Sequence, residues 1–202
     1  SHHPDADQIG TKGAGHVPWT LMHHLDPKDA DEICFNMESW CAQTSEVALP
    51  ASSVVDYIDQ AVTFCNDRIW GTLNASIIVH PKSMKDPAVA AAVERAIANL
   101  RYGSVAVNHW AGLNFALCTT TWGAFPGHTV EDIRSGQGVV HNTYMFDKPQ
   151  KTVLRGPFRV FPTPAWFVNN KNAADIGRKM TYFNADPSLI RLPGLLWASI
   201  RG

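Results

Sequence analysis

The chain has 202 residues, of which 45% are hydrophobic and 17% charged, and its formal net charge is −1. That length can bury a sizeable core and is long for one ordinary domain. The composition excludes a disordered chain, and the near-neutral balance gives no electrostatic footprint for nucleic acid. The low charged fraction implies that some surface is covered by partner chains or by further sequence.

The charge is unevenly placed. Residues 148–202 hold nine Lys/Arg and two Asp/Glu, a balance of +7, leaving −8 on the remainder. A solvated basic face is the simpler reading, with a membrane or an acidic partner as the alternative. The cysteines at 34, 41, 65 and 118 show no C-x-x-C spacing, so free thiols and a reduced, cytoplasmic setting are expected. No run of 18 apolar residues is present, and no transmembrane helix is expected. The N-terminus lacks an apolar signal core. Ser1-His2-His3 reads as a tag remnant and is set aside from the site arguments.

In chain order, residues 1–16 read as a loop rich in Gly, Asp and His, and 17–25 as a short strand. Asp26-Pro27 opens a turn or short helix through Glu32, and 39–49 suits a strand ended by Pro50. Ser52 or Ser53 caps the next helix, with Asp56 as a partial capping box. Val54, Ile58, Ala61, Val62 and Cys65 recur at helical spacing along its buried face. Residues 73–80 read as a buried strand. Asp86 and Pro87 supply the cap and first position of the clearest helix, which buries Val89, Val93, Ala96, Ile97 and Leu100. Gly103 is expected in a left-handed closing conformation, and 104–108 as a strand.

A long loop follows over 109–128, and Thr129 to Arg134 suits one helical turn. A strand is expected at 151–155. Pro157, Pro162 and Pro164 then break the chain, before short helices over 173–183 and 188–200, the second interrupted at Pro193-Gly194. Alternating strands and helices predict an α/β fold with a mostly parallel sheet, flanking helices and an irregular C-terminal tail. The expected division is 1–155 and 156–202.

Four elements carry chemistry: Glu38-Ser39-Trp40-Cys41, Leu100 to Asn108, Trp122-Gly123-Ala124, and Ser135-Gly136-Gln137-Gly138. In this order they resemble the C-terminal part of the catalytic domain of the aldehyde dehydrogenase superfamily. The resemblance spans roughly residues 17–155. Glu38 and Trp40 match the family's E-x-F-G-P element, whose glutamate accepts hydrogen bonds from the nicotinamide-side ribose. Cys41 and Ala42 replace its Gly-Pro. Glu46 is a competing match that lacks the aromatic two positions on. Gly103-Ser104-Val105-Ala106-Val107-Asn108 is similar to the family's G-x-V-x-V-N strand, which aims the following loop at the substrate channel. Trp122 matches the aromatic of P-F-G-G, with plain packing as an equal alternative, while Thr121 and Ala124 depart from the pattern.

The resemblance implies an NAD- or NADP-dependent enzyme that oxidises a small-molecule aldehyde through a cysteine thioester. Glu38 and Trp40 would contact the cofactor, and Asn108, His109 and Trp122 would border the substrate pocket. No catalytic residue is assigned. None of the four cysteines sits in the family's G-Q-x-C context, which lies further upstream than the 37 residues before Glu38, and Gly13-Ala14-Gly15 is too short for a dinucleotide fingerprint. The chain alone is therefore expected to be inactive, with the cofactor held by the full-length parent. The family associates through a strand near the C-terminus, so a homo-oligomer using 151–155 is expected. A non-catalytic oligomerisation or interaction module is the alternative. No H-x-x-x-H pair suggests a metal site.

Overall fold

The computed structural model describes residues 2–202. The chain divides into two compact units, the first ending at Arg155 and the second spanning Gly156–Gly202. The fold is mixed α/β, with small, mostly parallel sheets.

In the first unit the order is β1 (Asp7–Ile9), β2 (Trp19–Met22), a short α1 (Ile33–Asn36), β3 (Gln43–Ser45), α2 (Val54–Asp67), β4 (Asn74–Ile77), α3 (Pro87–Asn99), β5 (Ser104–Val107), a short α4 (Leu113–Ala116), β6 (Trp122–Gly123), β7 (Val139–Val140) and β8 (Thr152–Arg155). The second unit holds α5 (Ala173–Ala185) and α6 (Leu192–Ile200). None of the helices is long and apolar enough to cross a membrane.

The main sheet runs β4-β5-β8 with both pairs parallel. Its centre, β5, is buried at every position, whereas β4 and β8 alternate. A strand flanked on both sides and covered on both faces reads as a continuous apolar run, and Val105-Ala106-Val107 is one. The core joins Val93, Ile97, Leu100, Tyr102, Val105 and Val107, with Ile58, Val62 and Cys65 of α2 packed against it.

Local chemistry sets the helix limits. Ser53 accepts the N–H of Asp56 at 3.1 Å, and the Asp56 carboxylate takes both the N–H and the hydroxyl of Ser52. Both serines thus work at one N-terminus. Asp86 caps α3 through the N–H of Ala88, with Pro87 in the first turn, where no N–H is needed. At the far end of α3, the Lys151 ammonium donates to the carbonyls of Ile97, Ala98 and Leu100 at 2.6–3.0 Å. A cation there satisfies orphan carbonyls and complements the helix dipole. Burial holds the Lys151 pKa below its usual value. Arg155 of β8 grips Glu94 of α3 with two bonds of 2.8 and 2.9 Å.

The second sheet, β1-β2-β3, pairs β2 antiparallel with β1 and parallel with β3. Beneath it Met22, Leu25 and Phe35 form a smaller core, reached by Phe64 from α2. Phe35 is 1% exposed and meets Phe64 edge-on at 5.2 Å. In the second unit, Ile176, Leu195 and Ala198 close α5 on α6.

Several expectations are corrected. The stretch 1–16 contains β1. The strands expected over 17–25 and 39–49 shrink to β2 and β3, beyond which a further backbone bond joins the Leu25 N–H to the Glu46 carbonyl. Of the turn or short helix expected from Asp26 to Glu32 the structure has turns, and Glu32 is the cap of α1 and accepts the N–H of Cys34. Gly103 is not left-handed. Residues 129–134 form no helical turn, and α4 and β6 lie within the long loop. Pro193 does not interrupt its helix but sits in the first turn of α6. The tail carries the two expected helices and is otherwise mostly irregular.

Candidate functional site

Three of the four chemistry-bearing elements meet around closely approaching backbones. A Cβ added to Gly103 would lie 1.9 Å from the carbonyl oxygen of Gly123. One added to Gly123 would lie 2.3 Å from the carbonyl oxygen of Gly138. Gly103, Gly123 and Gly138 therefore succeed one another in a stack that admits no side chain at Gly103 or Gly123. The pairing of β6 with β7, Gly123 opposite Val139, fixes the upper step. The N–H of Thr152 donating to the carbonyl of Gly103 at 2.9 Å ties the lower step to β8.

Thr72 is the junction of this stack. Its carbonyl accepts from Gly103 and Phe125, its N–H donates to the Ser135 hydroxyl at 2.9 Å, and its hydroxyl lies 2.6 Å from His128 Nε2. Gln137 closes the turn by donating to the carbonyl of His128. Thr72 was missed by sequence reasoning, because a single threonine between Gly71 and a strand carries no periodic signal. A cavity of about 270 Å³ opens beside the stack, lined by Ala124 to His128, Gly136 to Val139, Lys148 and Pro149.

Asn108 follows β5 with φ 56°, a left-handed position that asparagine tolerates. Its side-chain oxygen accepts the N–H of Val79 at 2.8 Å. It thus fastens the chain beyond β4 rather than its own following loop. His109 is half-buried, and its Nδ1 accepts the N–H of Trp110 at 3.0 Å. Trp122 packs edge-on against Phe115 at 5.8 Å, and Phe115 lies 4.7 Å from the ring of His141. Below this loop Asn114 is fully buried and donates to Ser104 Oγ at 2.6 Å, which in turn donates to the carbonyl of Ala111.

Glu38 and Trp40 stand elsewhere in the fold, between α1 and β3. Glu38 is exposed and lines a cavity of about 300 Å³ with His2, His3, Met22, Cys34 and Gln43 among its walls. Trp40 is 87% exposed and is not part of that wall. Neither cavity wall includes Asn108, His109 or Trp122. The competing Glu46 is engaged by histidines, 3.3 Å from His23 Nδ1 and 3.6 Å from His24 Nδ1. Among the described residues no hydrogen bond occupies the Glu38 carboxylate.

His3 and Cys34 line the same cavity and form with Glu32 a cluster that sequence reasoning missed, because it set His3 aside as a tag remnant, whereas the fold engages the ring with both side chains. His3 Nε2 lies 3.0 Å from Glu32 Oε1 and 3.8 Å from Cys34 Sγ. Burial pushes the Glu32 carboxyl up, but the hydrogen bonds from Cys34 and the neighbouring His3 outweigh it and hold the pKa below the usual value. Burial, reinforced by Glu32, raises the Cys34 thiol to about 11. Burial raises Cys65 as well. Exposed Cys41 contacts Gln43, and exposed Cys118 contacts only backbone carbonyls. Neither has a hydrogen-bonded base to activate it.

No protein-family model, no curated protein and no solved structure matches this chain.

Proposed function

We propose that this chain is the C-terminal segment of the catalytic domain of an NAD(P)-dependent aldehyde dehydrogenase, a scaffold that is inactive alone. The observation that carries the reading is the glycine stack. Gly103, Gly123 and Gly138 come from the three elements that resemble the family's G-x-V-x-V-N, P-F-G-G and S-G-x-G, and the backbones approach too closely for a side chain at Gly103 or Gly123. Elements related only by sequence order would have no reason to meet in this way.

The chemistry of the residues supports the division of labour. An exposed carboxylate with no partner of its own, Glu38, suits two ribose hydroxyls, since charge-assisted bonds are the stronger kind. Its cavity of about 300 Å³ fits a ribose with its base but not a whole dinucleotide. When bound, the nicotinamide would accept hydride from the substrate. Trp122, Phe115 and His141 supply an aromatic wall, and Asn108, just before His109, ties the end of β5 to Val79 beyond β4. Cys34 and Cys65 are held as thiols, and Cys41 and Cys118 lack a base, so the thioester-forming cysteine belongs to the parent protein.

The test is binding of nicotinamide mononucleotide to the chain, followed by saturation-transfer NMR. Weak binding that is lost in Glu38→Gln and kept in Glu46→Gln is expected, with no turnover of NAD and an aldehyde panel. Loss in Glu46→Gln instead moves the ribose contact to Glu46. Aldehyde oxidation abolished by Cys41→Ser or Cys118→Ser overturns the reading.

A second reading, a non-catalytic oligomerisation or interaction module, draws on exposed apolar side chains in the second unit, Leu189 at 81% and Ile190 at 89%. In both readings β8 offers an edge, since only β5 pairs with it, and an open edge is a template for a second copy. Light scattering before and after truncation at Asp147 tests that homo-oligomer.

A further inference from the structure

We propose that His3, Glu32 and Cys34 form a Zn(II) site at the cavity beneath β2, with one coordination position left for water or a small ligand. The three side chains belong to segments about thirty residues apart, yet one ligand atom from each lies within 4.8 Å of the others. Typical zinc bond lengths place the donors of a tetrahedral N, O, S set roughly 3.3–3.6 Å apart. The observed separations are 3.0 Å for His3 Nε2 to Glu32 Oε1 and 3.8 Å for Cys34 Sγ to His3 Nε2. Shifts of a few tenths of an ångström bring these two pairs into range, and the third, Cys34 Sγ to the Glu32 carboxylate, lies within 4.8 Å, a gap that side-chain torsions can close.

The surroundings support a built site rather than a chance encounter. Glu32 is 7% exposed, and its carboxylate is oriented by the N–H of Cys34 at 2.9 Å. Such orienting bonds are the kind that hold metal-ligating carboxylates. Glu32 also caps α1, so the helix itself fixes the ligand. Without metal, Cys34 stays a thiol; coordination would deprotonate it, as zinc does to thiols. On binding, the Cys34 proton passes to solvent, and the His3 proton moves from Nε2 to Nδ1 by exchange with water. A mixed nitrogen, oxygen and sulfur set with three protein ligands is the pattern of zinc sites that keep an open position. His3 and Cys34 both line the cavity, which supplies access to that position. Met22 Sδ lies 3.5 Å from Cys34 Sγ. It is a thioether, a donor suited to Cu(I) rather than zinc, and is left out of the set.

The experiment titrates the metal-free full chain with Zn(II) by calorimetry and with Co(II) by absorption. One equivalent of Zn(II), a thiolate-to-Co(II) charge-transfer band and a zinc-dependent rise in Tm are expected. His3→Ala and Cys34→Ser should each weaken Zn(II) by more than the roughly 10–100-fold that losing an outer-shell partner costs. Glu32→Gln is read only alongside circular dichroism, because the same carboxylate caps α1. Met22→Leu should leave zinc affinity unchanged. His23→Ala with His24→Ala should also leave it unchanged, excluding capture by the neighbouring exposed histidines. Absence of the charge-transfer band overturns the proposal. So does unchanged affinity in both His3→Ala and Cys34→Ser, or loss confined to the His23/His24 variant or to Met22→Leu.

Discussion

The β4-β5-β8 region and the β1-β2-β3 region are built on opposite principles. In the first, the central strand is buried at all four positions and backbones touch through glycine. It tolerates no added atom. In the second, β1 and most of β2 and β3 are exposed or half-buried, and one aromatic, Phe35, anchors the small core beneath. It tolerates no lost atom at that anchor. Close backbone approach makes a rigid platform, whereas a single anchor under polar strands leaves room for the side chains around Glu38 to adjust. The contrast teaches that the two halves of the proposed site differ in how they respond to substitution.

The largest expected effect tests the anchor. Phe35→Ala should cost about 3–5 kcal/mol, as for other large aromatic truncations in cores. Urea unfolding measures it. A loss under about 1 kcal/mol would show that the second region does not depend on this side chain.

Next comes the platform. Gly103→Ala forces a methyl against the Gly123 carbonyl, and overpacking of that kind costs about 3 kcal/mol. Gly13→Ala meets nothing within 4 Å and should stay within about 0.5 kcal/mol, as ordinary surface changes do. Equal denaturation midpoints for the two variants would dissolve the distinction between the regions.

The smallest effect separates them by pH. His23 lies between Glu46 and Asp7, at 3.3 and 3.1 Å, and so bridges the ends of β1 and β3. The hydrogen bond to Glu46, helped by Asp7 against some desolvation, raises its pKa above 6.5. A raised histidine pKa adds stability that is fully present below 6.5 and fades as the pH climbs through the higher folded value. The wild type should therefore lose stability relative to His23→Gln on going from mildly acidic to alkaline buffer. Amide exchange in β1 and β2 reports it locally. Parallel pH profiles for the two proteins would remove His23 from the account.

Local signals made much of the main fold legible. Helix α3 was readable because Asp86, Pro87 and the spacing of Val89, Val93, Ala96 and Ile97 all state the same element. The apolar stripe of α2 was equally plain, and its cap was narrowed to Ser52 or Ser53, of which Ser53 is the one. The short strands of the first sheet were legible only at their centres, since a three-residue strand is defined by its partner rather than by its own pattern. The role of Gly103 was misread for a related reason. A glycine after a helix suggests a left-handed closure, but the need for glycine here comes from Gly123, twenty residues on.

The same division runs through the candidate site. Sequence order alone singled out the Gly103, Gly123 and Gly138 elements, because glycine spacing is written locally. It also supplied α2, α3, α5 and α6, the central apolar strand and the absence of a cysteine in a nucleophile's context. Tertiary structure alone decided that those glycines stack, that Thr72 joins them, and that Asn108 reaches back to Val79. It alone carried His3 to Glu32 and Cys34. Local propensity acts over a few residues, whereas hydrogen-bond junctions and ligand clusters depend on which distant segments the hydrophobic core brings within 3–4 Å, and no periodicity in the chain records that distance.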